Sequence, residues 1–194
     1  MIKLKSNILA SDSPRRKDLL NKIGIEFSII PSNINEDFKL ALPPEAFTEH
    51  WAREKALNIS KDHPSSLIIG ADTVVVLDGQ ILGKPKDEDG SKEMLLKLSG
   101  KTHEVITGVS LINIDSKIDI TFNERTYVSI NTLANSDILQ YIRLYNPFDK
   151  AGSYGIQDGF SVHVDKINGC YYNVMGLPVS KFYSYYSNIV ANQL

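Results

Sequence analysis

The run Leu67-Ile-Ile-Gly-Ala-Asp-Thr-Val-Val-Val-Leu77 constrains this chain more than any other segment. Aliphatic and β-branched residues dominate it, which reads as a buried strand, interrupted by the polar pair Asp72-Thr73. A strand of that kind has to be covered, and the rest of the chain offers the cover. Apolar runs alternate with amphipathic segments along the sequence, the pattern of an α/β domain. No tandem repeat and no Ser/Gly-rich linker divides the 194 residues, so a single domain over residues 1–194 is expected, built as two lobes around a cleft.

Local signals place the remaining elements. Ile8-Leu9-Ala10 reads as a short strand running into a helix over residues 14–22, with Ser13 as N-cap, Pro14 in the first helical position and Gly24 as the stop. Residues 27–30 return as a strand. A helix follows the Pro43-Pro44 loop through Trp51, Lys55 and Ile59. Asp78-Gly79 is a hairpin turn into Gln80-Ile81-Leu82. The acidic run Asp87-Glu88-Asp89 opens a helix around Ser91 to Leu98, and residues 102–130 read as strands that turn near Asp115. Ser136 is placed as the cap of a helix through Leu144, a strand is expected over residues 160–164, and a last helix after Pro178.

Composition narrows the function classes. With 21 Lys and Arg against 23 Asp and Glu, the formal charge is −2. That argues against a broad duplex-binding face and so against a nucleic-acid partner, while permitting a local cationic pocket for a small anion. The single cysteine, Cys170, excludes a disulfide framework and a Cys-rich zinc site, and the four histidines form no H-x-x-x-H pair. The opening MIKLKSNILA is too short in apolar length for a secretory signal and nothing approaches a membrane span, so a cytoplasmic protein with no membrane partner is expected.

Four segments carry chemistry. In Ser11-Asp-Ser-Pro-Arg-Arg16 a strand runs into a helix start, where unpaired N–H groups and the helix dipole favour an anion. Ser11 and Ser13 add hydroxyls, and Arg15 and Arg16 add forked donors that match phosphate oxygens; the plain alternative is a capped helix with solvated arginines. Asp72 is expensive to bury inside its apolar run unless it binds a cation, takes a proton from water or simply closes a turn. Gly83-Lys84-Pro85 is not a Walker A loop, because the glycine spacing is one residue short and Pro85 replaces the Ser or Thr, though Lys84 still offers a charge to a phosphate. In Asp149-Lys-Ala-Gly-Ser-Tyr-Gly-Ile-Gln157 two glycines allow close backbone approach, and the Gln157 amide both donates and accepts, as reading a nucleobase edge requires.

Taken in order, these segments resemble the Maf family of nucleoside triphosphate pyrophosphatases. The resemblance covers nearly the whole chain and rests on Leu9-Ala-Ser-Asp-Ser-Pro-Arg-Arg16, Ala52-Arg-Glu-Lys-Ala56, Gly70-Ala-Asp-Thr-Val-Val75, Gly83-Lys-Pro85, Leu98-Ser-Gly100 with His103 and Thr107-Gly-Val109, Asp149 to Gln157, and Val174-Met-Gly-Leu-Pro178. It implies an elongated mixed α/β sheet with flanking helices and a central cleft, similar to inosine triphosphatases, and often a homodimer. It also implies hydrolysis of a nucleoside triphosphate between the α and β phosphates, with a divalent cation, Mg²⁺ or Mn²⁺.

By position, Asp72 matches the family's proton acceptor. Ser11, Arg16, Glu36, Lys55 and Lys84 fall on active-site positions, and Arg15, Thr73 and Gln157 on positions linked to substrate choice. Arg, Thr and Gln at those three places resemble the branch acting on dTTP and UTP, with modified pyrimidine nucleotides as further substrates. Arg16, Lys55 and Lys84 are then expected as phosphate clamps, and Glu36 and Asp72 as ligands of the cation. The pattern departs at Asn146-Pro147, where many relatives carry Glu before Pro. A nucleotide-binding regulator of cell division without turnover is the competing reading, and the retained anion at Asp72 weighs against it.

Overall fold

The structure, a computed structural model, describes residues 6–37 and 40–192. Among these residues seven strands form one mixed sheet: β1 (Asn7–Leu9), β2 (Ser28–Ile29), β3 (Leu67–Leu77), β4 (Gln80–Leu82), β5 (Thr102–Asn113), β6 (Ile118–Ile130) and β7 (Val164–Asn168). Their order is β2-β1-β3-β5-β6-β7, with β4 against β3. β1 is parallel to both of its neighbours. Parallel neighbours need crossovers, and helices α1 (Pro14–Lys22) and α2 (Pro44–Ser60) lie in those connections. β3 and β4 are antiparallel across Asp78 and Gly79, whose φ angles of 51° and 76° suit a tight hairpin turn. Helices α3 (Glu88–Leu98), α4 (Asn135–Tyr145), α5 (Tyr171–Val174) and α6 (Val179–Ala191) complete the α/β architecture.

The chain divides into two compact units. The first takes Met1–Asp72, Thr107–Glu124 and Gly176–Leu194, and the second Thr73–Ile106 and Arg125–Met175. Ile8, Ala10, Ala56, Ile59, Ile68 and Ile112 form a core cluster in the first. The second is built on Leu95, Leu98, Val128, Ile138, Tyr154 and Phe160 among others. No described helix is long and apolar enough to cross a membrane.

Several local expectations change. β3 runs unbroken through Asp72-Thr73, because a ladder constrains the backbone and tolerates a polar side chain that finds a partner. Ser13 occupies the N-cap of α1 in extended conformation, yet its side chain makes no capping bond; its N–H instead donates to Ser11 Oγ at 3.3 Å. Helix α4 begins one residue before Ser136, with Ala134 at its N-cap. Residues 160–163 belong to a short 3₁₀ helix, Gly159–His163, rather than a strand. The cause is Asp158, whose carboxylate accepts the Phe160 N–H and nucleates a turn in competition with the sheet. The acidic run does open α3: Asp87 caps it by accepting the Gly90 N–H at 2.8 Å. Asn146 closes α4 in the left-handed conformation at φ 44°, a role asparagine fills more readily than glutamate.

Candidate active site

The site in the first unit begins with two glycines. A Cβ on Gly70 of β3 would stand 2.1 Å from the Ala52 carbonyl oxygen and 2.9 Å from the Ala56 Cβ of α2. A Cβ on Gly108 of β5 would meet the Thr48 carbonyl at 2.3 Å. The helix backbone therefore rests directly on the sheet, which only glycines beneath and small residues above permit. That close approach carries Lys55, on α2, to Asp72, on β3.

Lys55 Nζ lies 2.8 Å from Asp72 Oδ1 and 2.6 Å from Glu36 Oε1. The Asp72 residue is only 5% exposed, and its second oxygen, Oδ2, is buried and makes no hydrogen bond. A buried carboxylate oxygen with nothing to accept is costly, and groups of this kind concentrate where chemistry is done.

Arg16 stands beside this cluster and is itself buried. Its Nε donates to the Gly176 carbonyl at 2.9 Å and its Nη1 to Ser11 Oγ at 3.0 Å. Burial pulls the guanidinium below its ordinary pKa; the Asp72 carboxylate opposes that, Arg15 adds to it and Glu36 opposes it more weakly. Ser11 Oγ accepts from both Ser13 N–H and Arg16, so what the hydroxyl has left to offer is its proton. Lys55 and Arg16 balance Glu36 and Asp72, and the half-buried Arg15 adds one positive charge next to them.

The other expected residues belong to the second unit. Thr73 is half-buried on β3, Lys84 is exposed just after β4, and Gln157 is exposed at the end of a segment whose residues 152–156 are buried. The Gly152 N–H donates to the Gly83 carbonyl at 3.0 Å, which ties the segment bearing Gln157 to the one bearing Lys84. Next along, the Tyr154 hydroxyl pairs with His103 Nε2 at 2.7 Å. Burial pushes His103 down to about 4, so this imidazole is neutral at pH 7, and burial raises the Tyr154 phenol. Tyr141 and Asp158, which hold the same segment, were not visible as site residues in the sequence. A tyrosine at a helix core position carries the same pattern whether or not its hydroxyl is used.

Among the described residues, no three His, Cys, Asp or Glu side chains cluster into a cation cage. Glu36 and Asp72 nevertheless place two carboxylates on one ammonium, and Asp72 Oδ2 has its lone pairs unspent. Such a donor set fits a cation like Mg²⁺, which uses one or two carboxylates and completes its shell with water and phosphate oxygens.

The same chain matches known proteins along almost its whole length. The Maf-like protein family pattern covers residues 6–189. A dTTP/UTP pyrophosphatase of Ruminiclostridium cellulolyticum is 45% identical over 179 residues, 92% of this chain and 93% of that protein. Those of Bacillus pumilus and Clostridioides difficile are 45% and 44% identical over 174 residues, 90% of this chain in both cases and 91% and 90% of the relative. More remotely, the solved structure of the Staphylococcus aureus Ham1 protein superposes with a TM-score of 0.43 and 15% identity, over 65% of this chain and 72% of that one. Relatives that align along at least 90% of their own length, with one family pattern spanning both units, make this chain a member of the Maf-like protein family.

Proposed function

We propose that this protein is a nucleoside triphosphate pyrophosphatase that hydrolyses dTTP and UTP, and modified pyrimidine nucleotides of the same edge chemistry, to the monophosphate and pyrophosphate. The observation that carries the reading is Asp72, a buried carboxylate with Oδ1 held by Lys55 and Oδ2 without a hydrogen bond. The relatives named as dTTP/UTP pyrophosphatases support the substrate. The cytoplasm, where nucleoside triphosphates are made and used, is the compartment this reading calls for.

Asp72 Oδ2 takes the proton from a water as the water adds at phosphorus and the α–β anhydride opens, releasing pyrophosphate. The triphosphate brings about four negative charges at neutral pH, which must be offset before that water can approach. Arg16 and Arg15 supply positive charge from the start of α1, and Ser11 supplies a neutral donor. Lys55 spends two of its three donors on Glu36 and Asp72 and has the third for a phosphate oxygen. Lys84 adds a further charge from an exposed position. Glu36 and Asp72 are the residues that would hold a divalent cation, Mg²⁺ or Mn²⁺, which would neutralise phosphate oxygens. A cation on Asp72 Oδ2 would compete with its use as base, so Glu36 is the ligand this mechanism requires.

Base choice falls to Gln157, with Thr73 and Arg15 beside it in role. Thymine and uracil present O4, N3–H and O2 on one edge, and the Gln157 amide can donate to a carbonyl while accepting from N3–H. Cytosine reverses two of those groups, so at least one contact becomes donor to donor or acceptor to acceptor unless the amide flips. An unpaired polar contact costs ~1–3 kcal/mol, roughly a 5- to 150-fold preference. Pyrophosphate release from dTTP, UTP, CTP, ATP and GTP with Mg²⁺ or Mn²⁺ tests the proposal. Fast release from dTTP and UTP, slower from CTP and slowest from the purines is expected. Tight nucleotide binding with no pyrophosphate would replace the enzyme with a nucleotide-binding regulator.

A further inference from the structure

Tyr141, on α4, sets one hydroxyl between the two ends of the turn that carries Gln157. Its oxygen accepts the Gly155 N–H at 3.0 Å, and its proton is donated to Asp158 Oδ2 at 3.2 Å. The other carboxylate oxygen, Asp158 Oδ1, accepts the Phe160 N–H at 3.0 Å, so both sides of Asp158 are engaged. The turn has no slack. A Cβ on Gly155 would stand 2.3 Å from Asp158 Oδ2 and 3.0 Å from Lys150 Cε.

The strand of chain leading into the turn is held as closely. The Tyr154 hydroxyl is bonded to His103, and the Ser153 hydroxyl to that of Ser91, with both serines fully buried. Ser153 adopts φ 63°, a left-handed conformation that costs a non-glycine residue and persists only where neighbours enforce it. From Gly152 to Ile156 every residue is buried, and the next one, Gln157, is exposed. A recognition side chain thus stands on a backbone that has been fixed on both of its flanks.

The ring of Tyr141 is already accounted for by packing. It meets Phe160 edge-on with centroids 5.0 Å apart and stacks on Tyr145 at 5.2 Å. Phenylalanine would pack equally well and would avoid burying a hydroxyl. The hydroxyl has a different use: it bonds the backbone two residues before Gln157 and the side chain one residue after it. Hydrogen-bond selectivity depends on placing an amide to within about half an ångström and 10–20°. We propose that Tyr141 is a positioning residue for base selection, its hydroxyl clamping the Gly155–Asp158 turn so that Gln157 presents its amide to the pyrimidine edge in one orientation. This rests on Gln157 reading the base.

The test is kcat and KM for UTP and CTP in the wild type, Tyr141→Phe, Gln157→Ala and the double variant. Tyr141→Phe should lower the UTP:CTP ratio of kcat/KM by roughly 3- to 10-fold, the worth of one hydrogen bond, mostly through KM for UTP. Asp158→Ala cuts the same clamp from its other end and should lower the ratio likewise. The double variant should be no less selective than Gln157→Ala alone, because both changes remove one interaction. A lowered ratio in Gln157→Ala with an unchanged one in Tyr141→Phe and Asp158→Ala overturns the positioning role and leaves the base-reading role standing. An unchanged ratio in Gln157→Ala overturns both. An equal loss for UTP and CTP in Tyr141→Phe assigns its hydroxyl to general stability and also overturns the proposal.

Discussion

Two aspartates, Asp72 in the first unit and Asp158 in the second, are surrounded in opposite ways. Asp72 lies on a strand with one oxygen on the Lys55 ammonium and the other without a hydrogen bond. Asp158 lies on a loop and both its oxygens accept, from the Tyr141 hydroxyl and the Phe160 N–H. Folding alone favours the second arrangement, since an unspent buried acceptor loses its hydration for nothing. The first arrangement leaves an acceptor for the proton, cation or water that the proposed reaction brings. In the function proposed above, the unsatisfied carboxylate is the place of reaction and the satisfied one the place of positioning. Their surroundings differ in charge too: Glu36, Lys55, Asp72 and Arg16 form a charged set, whereas His103, Tyr141 and Tyr154 form a neutral one.

Removing the ammonium should strain the charged set most. Lys55→Met leaves Glu36 and Asp72 facing each other without their shared cation, and breaking such a pair costs about 3–5 kcal/mol. Glu36 is the more exposed partner, which favours the lower end of that range. Chemical denaturation at pH 7 measures it. Added Mg²⁺ should raise the melting temperature of Lys55→Met more than that of the wild type, because the ion replaces the lost charge. A variant as stable as the wild type would mean that the carboxylates do not need their ammonium.

The neutral set has its own signature in acid. His103 has its pKa lowered from 6.5 to about 4 by burial, so the unfolded chain takes up a proton before the folded one does as pH falls. The contribution of His103 to stability is therefore complete above pH 6.5 and lost progressively down to about pH 4, by ~3 kcal/mol. His103→Gln should show a shallower loss across that window in urea titrations at several pH values. Parallel curves for the two proteins would show that His103 takes up its proton in the folded state at its ordinary pKa.

A smaller effect separates binding charge from structural charge. Lys84 is exposed, so Lys84→Ala should leave stability within ~0.5 kcal/mol. It should still lower kcat/KM for UTP about tenfold through loss of one charge-assisted contact. Rising salt should narrow the gap between variant and wild type, because screening weakens the contact only where it exists. Equal kcat/KM at low salt would remove Lys84 from the clamp.

Much of the fold was legible in the sequence because its signals are local. Pro14 and Gly24 bracket α1, Asp78-Gly79 makes its turn, and the cost of burying Asp72 inside Leu67–Leu77 pointed to a use for it. The meeting of Lys55 with Asp72, 17 residues away, was not legible from periodicity or spacing. It depends on glycines at 70 and 108 admitting α2 to the sheet, and a glycine in a strand pattern has many other readings. Lys55 and Glu36 entered only through family resemblance. Tyr141 was hidden because a core tyrosine and a working one share a helical pattern. The 3₁₀ helix at Gly159–His163 was missed because one side chain, that of Asp158, overrode the strand propensity around Phe160.

The central claim, that turnover depends on the charge at Asp72 and not on its shape, is tested most directly by Asp72→Asn. Asparagine keeps the outline and can still accept from Lys55, but it cannot take a proton from water. Pyrophosphate release from saturating UTP should fall by ~10² or more, the scale of losing a general base, while the dissociation constant for UTP changes far less. Turnover within a few-fold of the wild type would contradict the account and move the chemistry away from Asp72.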